Sequence, residues 1–414
     1  MGSIRGLGGV LRGLAGTGCL AAMAAITACA GAVPGASSSA VPGAAPAVPA
    51  PGAPVAVASA VVSGIKAAPR APGTTTPATK TPGASASPVP ATSPASAQPA
   101  SGNPAGNATV PPAGQAVVTS HPDRVVGSGT AASCTSAAVV AAVAAGGVIT
   151  FSCGPSPVTI TMTATATVSN TSHEVVLDGG GKVTLSGGGN TQILSMNAGW
   201  EQQWPQLVVQ NLTFTDAYSG TKQTNGSSVY GGGAIFDEGG QLKVVNSAFL
   251  GDSCYASGPD LGGGAIRAVG MDLATPVYIT GDTFSGNSCS NGGALSGLFA
   301  NFDVINSSLT DNKAIGWGAN PAQAGTAGGG SGGAIYTDGA QYNLSVTGTV
   351  MRGNTAREGG GGIFFVVNSG GGTLQIDSSM LQDNPSGEFQ NAPGIFDSVN
   401  GQDTQPVVVG STIG

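Results

Sequence analysis

Charged, aromatic and histidine residues are all scarce in this sequence of 414 residues: 8 % are charged, 5 % are aromatic and two are histidine. Five of the 13 basic residues, but none of the 20 acidic ones, lie in residues 1–120. Residues 121–414 therefore hold 8 basic and 20 acidic residues, a formal charge of −12. Because binding to nucleic-acid phosphates needs a basic stripe, this composition argues against nucleic acid as a partner.

The first thirty residues contain no apolar run long enough for a comfortable membrane span. Arg5 and Arg12 precede a short apolar stretch, residues 14–28, and this pattern is typical of an export signal. Its end, Ile26-Thr27-Ala28-Cys29, resembles the lipobox of bacterial lipoprotein signals. The resemblance implies that Cys29 is acylated and that the protein reaches a membrane through this lipid anchor. The same end also fits the small-x-small pattern of plain secretion, and an uncleaved anchor is a third interpretation.

Acidic and aromatic residues are absent from residues 31–115, which consist mostly of Pro, Ala, Ser, Thr, Gly and Val and hold 17 of the 27 prolines. Such a segment cannot bury enough apolar area to offset the entropy of ordering it. We therefore expect an export signal in residues 1–29, a disordered tether in residues 30–120 and a folded domain in residues 121–414.

Two motifs recur through the folded domain. A Gly-Gly pair before a small or branched apolar residue stands at 232–235, 263–266, 292–295, 332–335 and, less completely, 361–364. A second motif aligns one apolar position, at spacings of 35, 35, 25, 42 and 30: Phe214, Phe249, Phe284, Leu309, Met351 and Leu381. Three residues after the last five of these lies an Asp or Asn: Asp252, Asn287, Asn312, Asn354 and Asn384. Fixed strand motifs at a variable period are typical of a solenoid.

Short runs rich in Val, Ile, Thr and Leu predict two or three strands per repeat, with no helix between them. Parallel strands without helical crossovers favour a parallel β-helix, in which about nine coils stack roughly 4.8 Å apart. Gly-Gly permits positive φ at the corners, and Asn or Asp can form ladders from coil to coil. A short helix at residues 135–145 is expected to cap the open end. The predicted fold class is all-β, a single-stranded parallel β-helix with an N-terminal cap helix.

The paired motifs, as in Phe284-Ser-Gly-Asn287 followed by Gly292-Gly-Ala-Leu295, resemble the repeats of chlamydial polymorphic membrane proteins and related β-helix surface proteins. The resemblance covers about residues 170–390. It implies a right-handed, pectin-lyase-like solenoid and a surface-exposed adhesin or interaction rod. Larger members end in an outer-membrane β-barrel, whereas this sequence ends at Gly414, so we expect the lipid at Cys29 to replace that barrel.

Four of the six cysteines lie in the folded domain. Cys254 and Cys289 each stand five residues past a phenylalanine of the apolar column, so they are expected in adjacent coils, at a distance that a disulfide accepts. Cys134 precedes the predicted helix and Cys153 lies in the first strand, so this pair could clip the cap to the first coil. An exported compartment permits both bonds. The alternative to disulfides is that these cysteines bind a metal. Because the sequence has no CxxC motif and no histidine near them, we expect no metal and no cofactor.

Polysaccharide lyases and hydrolases also use parallel β-helices, so an enzyme is one alternative. Adjacent Asp237 and Glu238 point to opposite faces of a strand and cannot be the facing carboxylates of a glycosidase. A lyase would need clustered Asp for Ca²⁺ and a basic residue as base, and the weak candidates lie just past the Gly-Gly corners: Asp237, Glu238, Arg267, Asp272 and Asp338. A solvated row of turn charges is the simpler interpretation. Polygalacturonase signatures, namely paired aspartates, Gly-His-Gly and Arg-x-Lys, are missing, and His121 and His173 are expected at the surface.

A binding function requires less of the sequence. The position after the Gly-Gly motif is Phe236, Arg267, Ser296, Tyr336 and, in a looser match, Phe365. Facing outward, this column would be an aromatic ribbon beside Arg267, suited to a glycan or a protein; facing inward, it would be core. The insertions at 217–231 and 315–331 offer three further binding residues, Tyr218, Tyr230 and Trp317.

The sequence therefore predicts a non-enzymatic adhesin or interaction scaffold on the extracytoplasmic face of the cell envelope, lipid-anchored or secreted. Its expected partner is a cell-surface glycan or protein. The alternatives are a polysaccharide-active enzyme, which would show outward carboxylates beside Arg267 or Arg352, and a structural envelope rod, which would show neither those carboxylates nor an aromatic ribbon.

Overall fold

Parallel β-strands dominate the described part of the chain. The computed structural model describes residues 101–220, 230–259, 261–319 and 323–414, all of which belong to one unit of the chain. The predicted export signal with Cys29, and the tether up to residue 100, lie outside this part. Within it, no helix combines the length and the apolar character that crossing a membrane requires.

The helix α1 (Ser136–Ala145) lies between the first two strands, and two short 3-10 turns occupy Pro112–Gly114 and Ala131–Ser133. The first strands are β1 (Arg124–Val126), β2 (Gly147–Phe151), β3 (Val158–Thr161), β4 (Ala166–Thr167), β5 (Glu174–Ser186), β6 (Leu194–Asn197), β7 (Gln206–Thr215), β8 (Tyr218–Ser219), β9 (Tyr230–Gly231), β10 (Ile235–Glu238), β11 (Gln241–Val245), β12 (Ala248–Leu250), β13 (Ser253–Cys254), β14 (Leu261–Gly262), β15 (Ile266–Val269) and β16 (Val277–Thr280). They are followed by β17 (Thr283–Ser285), β18 (Ser288–Cys289), β19 (Leu295–Leu298), β20 (Phe302–Ile305), β21 (Ser308–Thr310), β22 (Lys313–Ala314), β23 (Ile335–Ala340), β24 (Leu344–Thr347), β25 (Val350–Arg352), β26 (Thr355–Ala356), β27 (Ile363–Ser369), β28 (Leu374–Asp377), β29 (Met380–Gln382), β30 (Ile395–Val399), β31 (Gln402–Asp403), β32 (Val407–Val409) and β33 (Thr412–Ile413).

These strands form four sheets. Sheet A has 17 strands in two rows that share β5 and β7: one row runs β1, β2, β5, β7, β11, β16, β20, β24, β28, β32, and the other runs β3, β5, β7, β12, β17, β21, β25, β29, β33. Sheet B contains β4, β6, β10, β15, β19, β23, β27, β30 and β31; sheet C contains β8, β13, β18, β22 and β26; sheet D pairs β9 with β14. Among the described strands, every pairing is parallel except that of β30 with β31. The predicted all-β class with parallel strands is thus confirmed, and the arrangement is compatible with a solenoid.

Successive repeats place equivalent residues side by side. Phe249 pairs with Phe214 on one side and Phe284 on the other, and the rings stack in parallel with centroids 4.8 Å apart. The column continues through Leu309, Met351 and Leu381, all in the interior core. The sequence alignment of the apolar positions therefore gave the correct register.

Buried amides form the predicted ladder beside this column. Asn312 Oδ1 accepts the backbone N–H of Asn287 at 3.0 Å, and Asn312 Nδ2 donates to the carbonyl of Phe284 at 3.1 Å. Asn354 and Asn384 repeat both bonds in the next two repeats. Each side chain thereby satisfies backbone groups of the preceding repeat that burial would leave unpaired.

The helix α1 lies against the first strands. Thr135 accepts the backbone N–H of Ala138 at its start, and Gly146, at φ 71°, ends it. Val139 and Val143 join the interior core, and the helix contacts β1, β2 and β4.

Two disulfides join the four cysteines of the folded domain. Cys134 is bonded to Cys153, with Cα atoms 5.7 Å apart, and Cys254 to Cys289, with Cα atoms 4.7 Å apart. The first bond links the start of α1 to the end of β2. The second joins equivalent positions in β13 and β18, as their matched spacing predicted.

Residues 101–119 form an extended segment, here called the strap, that lies along the outer surface of sheet A. Gln210 accepts the N–H of Val117 at 2.8 Å and donates to its carbonyl at 3.0 Å. Asn306 makes the same pair of bonds with Ala108, both at 2.9 Å. The prediction of a disordered tether up to residue 120 is therefore wrong for the strap, because side-chain amides of the sheet satisfy its backbone.

Glycines fit the strap closely to the sheet. A Cβ atom at Gly102 would lie 2.8 Å from the carbonyl of Gly281, and one at Gly106 would lie 2.7 Å from that of Gly348. The composition that indicated disorder thus also permits close backbone contact.

Candidate functional site

Sheet B presents one face to the interior and one outward, because side chains alternate along each strand. The inward column is aliphatic and packs in the core: Leu194, Ile235, Ile266, Leu295, Ile335, Ile363 and Ile395. The outward column is one residue further on: Ser195, Phe236, Arg267, Ser296, Tyr336, Phe364 and Phe396. The column after the Gly-Gly motif, whose direction the sequence left open, therefore faces away from the interior core. Within it, Tyr336 and Phe396 are partly exposed, whereas the other five side chains are buried: Ser195, Phe236, Arg267, Ser296 and Phe364.

The fifth aligned residue of this column was predicted wrongly. Phe364, not Phe365, pairs with Tyr336, because Gly362 takes the alanine position of the motif. Phe365 is fully buried on the inward face, where its ring meets that of Tyr342 edge to face. The motif of this repeat therefore spans residues 360–363, one residue earlier than the alignment assumed.

A polar cluster lies on the outward face. Arg267 is 2 % exposed, and its guanidinium donates a hydrogen bond to Ser296 Oγ in the neighbouring strand. One strand further, the Tyr336 hydroxyl donates to Asp338 Oδ2 at 3.1 Å, and Asn368 Nδ2 donates to Asp338 Oδ1 at 2.6 Å. Two of the three weak catalytic candidates, Arg267 and Asp338, therefore share this face.

The cluster perturbs its acidic groups. Burial raises the pKa of Asp338, and the hydrogen bonds from Tyr336 and Asn368 and the charge of Arg267 partly oppose this. Burial, then the Asp338 carboxylate, raises the pKa of Tyr336 well above its usual value. The phenol therefore remains a proton donor at neutral pH.

An aromatic ladder continues from this cluster. The rings of Tyr336 and Phe364 stack with centroids 5.0 Å apart and planes 3° from parallel, and Phe396 stacks on Phe364 at 5.3 Å. Phe389 meets Phe396 edge to face at 4.8 Å. Tyr336 and Phe396 are partly exposed, so the ladder offers ring surface to a partner.

Asp237, the third weak catalytic candidate, points the other way. It lies one residue past Phe236, in an inward column with Met196 and Ala268 of the core. Its side chain is fully buried, and neither carboxylate oxygen has a hydrogen-bond partner among the described residues. Burial, and then the charge of Glu238, raise its pKa well above the usual range. Asp237 is therefore separated from Arg267 and Asp338 by the sheet itself.

The outward carboxylates lie far apart. Glu238 in β10 and Asp338 in β23 are equivalent positions three strands apart, which corresponds to about 14 Å. Glycosidases place their two carboxyl groups roughly 5 to 9.5 Å apart.

Asp272 lies in a turn, where it accepts the N–H of Ala274 at 3.1 Å. Among the described residues, no group of three or more acidic, histidine or cysteine side chains could hold a metal ion.

The insertion loops carry the three predicted binding residues in different settings. Tyr218 is half-buried in β8, and Tyr230 packs beside the Cys254–Cys289 bond. Trp317 is 40 % exposed; its indole N–H donates to Glu388 at 3.4 Å, and the Arg357 guanidinium lies 6.0 Å from the ring centroid. Residues 221–229 and 320–322 of these insertions lie outside the described part.

A second aromatic surface was missed by the sequence analysis. The loop at residues 198–205, here called the tryptophan loop, connects β6 to β7 and exposes Trp200 and Trp204 to 39 % and 48 %. His173, predicted at the surface, is exposed and stacks on Trp204 with centroids 4.6 Å apart. The spacing of two tryptophans in a polar Glu-Gln-Gln setting was the available signal.

Comparison with known proteins gives no relative for this chain: no family model, no curated protein and no solved structure matches it.

Proposed function

We propose that this protein is an exported, non-enzymatic adhesin or interaction scaffold whose outward face of sheet B binds a cell-surface glycan or protein. The aromatic ladder of Tyr336, Phe364 and Phe396 carries this proposal, because the partly exposed rings of Tyr336 and Phe396, stacked on the buried ring of Phe364, suit the centre of a binding surface. Polar side chains in the cluster are already held by hydrogen bonds, so little ordering entropy would oppose binding.

In this proposal the domain is a right-handed, pectin-lyase-like parallel β-helix of about nine coils, with α1 as its cap. The parallel register of sheets A, B and C and the amide ladder support this fold, as does the placement of α1 against the first strands. The repeat motifs also support kinship with the polymorphic membrane protein repeats.

The proposal places the domain on the extracytoplasmic face of the envelope, held by an acylated Cys29 or released. Two disulfides support an oxidising compartment, because such bonds persist mainly outside the cytosol.

A polysaccharide-active enzyme is the second candidate, favoured by the contact of Arg267 with Ser296 and by the closeness of Tyr336 to Asp338. The separation of about 14 Å between the outward carboxylates disfavours a two-carboxylate hydrolase. A lyase that uses Arg267 as base would require deprotonation of a group that keeps its proton under ordinary conditions.

The test uses the purified full chain carrying Cys29→Ser. Beads coated with this protein are incubated with intact bacterial cells and with cultured epithelial cells, and the retained cells are counted. We expect retention of at least one cell type. Tyr336→Ala and Phe396→Ala should weaken it about tenfold, whereas Tyr255→Ala, an exposed aromatic outside sheet B, should not. Failure to retain either cell type would favour a structural rod. Shortened chains after incubation with neutral and acidic polysaccharides, with and without Ca²⁺, would favour the enzyme.

A further inference from the structure

Tryptophan is used only at the surface of this domain. The sequence has three tryptophans, and all of them are 39 % or more exposed: Trp200, Trp204 and Trp317. The described core consists mainly of Val, Ile, Leu, Ala, Phe and Met instead. Two of the three lie in the tryptophan loop, where residues 200–204 are all exposed. Exposed indoles lose the stabilisation that burial would give them, so their position calls for a role at the surface.

Backbone hydrogen bonds hold the tryptophan loop to the repeats beside it. The N–H of Glu201 donates to the carbonyl of Gly270 at 2.7 Å, and the N–H of Gly240 donates to the carbonyl of Gln202 at 2.8 Å. The N–H of Gln241 donates to the carbonyl of Pro205 at 3.1 Å. The loop is thus fixed before any ligand arrives, which lowers the entropy cost of binding.

Glycines beneath the loop make room for it. A Cβ atom at Gly270 would lie 2.6 Å from the Trp200 ring, and one at Gly239 would overlap the carbonyl of Gly199. Trp200 therefore lies flat against backbone, and its ring also meets Phe299 at a centroid distance of 5.3 Å. The indole is held in one orientation rather than free to turn.

The rings form a row along the stacking direction. It consists of two ring pairs, His173 with Trp204 at one end and Trp200 with Phe299 at the other. His173 precedes β5 and Phe299 precedes β20, four strand steps away in sheet A, so the row spans about 19 Å. This length suits an extended chain of several sugar rings rather than a single small molecule.

Amide and carboxylate side chains flank the row. Gln206 Nε2 donates to Gln241 Oε1 at 2.9 Å, and Gln241 Nε2 donates to Thr275 at 3.3 Å and to Asp272 at 3.5 Å. Planar amides and carboxylates can exchange hydrogen bonds with sugar hydroxyls. The acidic Glu201 and Asp272 would repel an anionic sugar, which favours a neutral one.

We propose that the tryptophan loop, with His173 and Phe299, is a binding site for a neutral oligosaccharide chain, whose sugar rings stack on Trp200 and Trp204. The proposal rests on the proposed function, because it names the ligand class of a surface-binding protein. It adds a site distinct from the ladder of Tyr336, Phe364 and Phe396.

The full chain carrying Cys29→Ser is titrated with cellohexaose, laminarihexaose and mannohexaose. Calorimetry and tryptophan fluorescence measure binding. We expect at least one of these to bind. Trp200→Ala and Trp204→Ala should each weaken binding about tenfold. Trp204→Phe, which keeps a ring, should retain most of it. Tyr255→Ala is the control, since it removes a similarly exposed aromatic ring outside the loop, and an oligogalacturonate should not bind.

The results separate this site from the proposed function. If none of the three neutral oligosaccharides binds while the cell binding described above persists, the glycan site is wrong and the surface function stands. Sensitivity of sugar binding to Tyr255→Ala but not to Trp200→Ala would also overturn it. Sugar binding that depends on Trp200, without retention of cells, would support the site and count against adhesion.

Discussion

Asn287 Oδ1 accepts the backbone N–H of Asp252 at 2.8 Å, and Asp252 Oδ1 accepts the N–H of Ala217 at 2.9 Å, so Asp252 occupies the amide ladder as its acidic member. Asn287 also donates its Nδ2 to the carbonyl of Phe249 at 3.1 Å. Asp252 Oδ2, fully buried, has no hydrogen-bond partner among the described residues. Burial raises the pKa of Asp252 well above its usual range, so the fold favours the protonated form of this group.

Asp252→Asn should stabilise the protein near neutral pH. The amide can donate without first binding a proton, whereas Asp252 must hold in the folded state a proton that the unfolded chain releases near neutral pH. We expect a gain of about 1 kcal/mol in the free energy of unfolding. Urea unfolding at pH 7 measures the change, with Asp311→Asn on the exposed surface as control. The difference should shrink below about pH 4, where the carboxyl is protonated in both states. Equal or lower stability of Asp252→Asn at pH 7 would contradict the prediction.

Stability should fall as the pH rises from about 4 to 8. Burial raises the pKa of Asp237, Asp252 and Asp282 well above the usual value, so the folded state keeps protons that the unfolded state releases above about pH 4. The contribution of each group is complete below its unfolded pKa and is lost as the pH rises toward its folded pKa.

Urea midpoints at pH 4.5, 6 and 8 measure this slope, and Asp237→Asn should make it shallower. Asp178, whose pKa is lowered in the fold, affects stability with the opposite sign, but below this range of pH. Stability that is constant or increases with pH would show that the three buried carboxyls ionise in the folded state.

Asn306→Ala should loosen the strap. The side chain makes both hydrogen bonds to Ala108, and their loss leaves the strap with fewer contacts to sheet A. Hydrogen exchange of a peptide spanning residues 101–119 should become about tenfold faster, the effect of roughly 1.4 kcal/mol. Asn246→Ala is the control, because Asn246 has φ 50° like Asn306 but its side chain makes no hydrogen bond to the strap within the described part of the chain. Equal exchange in both variants would mean that these bonds do not hold the strap.

Removing the Cys254–Cys289 bond should lower stability by about 2–4 kcal/mol. The bond closes a loop of sequence separation 35 and lies with Leu261 and Tyr230 in a small cluster outside the main core. Thermal unfolding of Cys254→Ser with Cys289→Ser should show a lower Tm than the parent under oxidising conditions. Adding a reductant to the parent should give a similar shift, whereas an unchanged Tm in the variant would contradict the prediction.

The spacing of motifs in the sequence predicted the contacts between equivalent residues of successive repeats. In a parallel stack, equivalent residues of successive repeats become neighbours, so one alignment gave the column of Phe214, Phe249 and Phe284 and the amide ladder. The same argument gave the bond between Cys254 and Cys289.

The spacing of motifs does not predict which face of a strand a side chain occupies, nor contacts between residues far apart in the sequence. One residue decides whether a side chain faces the core, so Asp237 and Arg267 fall on opposite faces and Phe364 replaces Phe365 in the outward column. The strap depends on Gln210 and Asn306, about 90 and 200 residues away from their partners in the sequence, and no local pattern predicts such contacts.

The strap sets which contacts would yield first if the chain before it were pulled away from sheet A. It runs from Gly102, beside Gly281 and Asn306, toward Thr119, which donates to Asp178 near the start of the repeats. A pull on the chain before residue 101 therefore acts first on the bonds at Gly102 and Asn103 and would open the later ones in turn, as a zipper opens. Because the hydrogen bonds of the strap would break one at a time, the strap would detach and extend before tension reached the strands that the disulfides join.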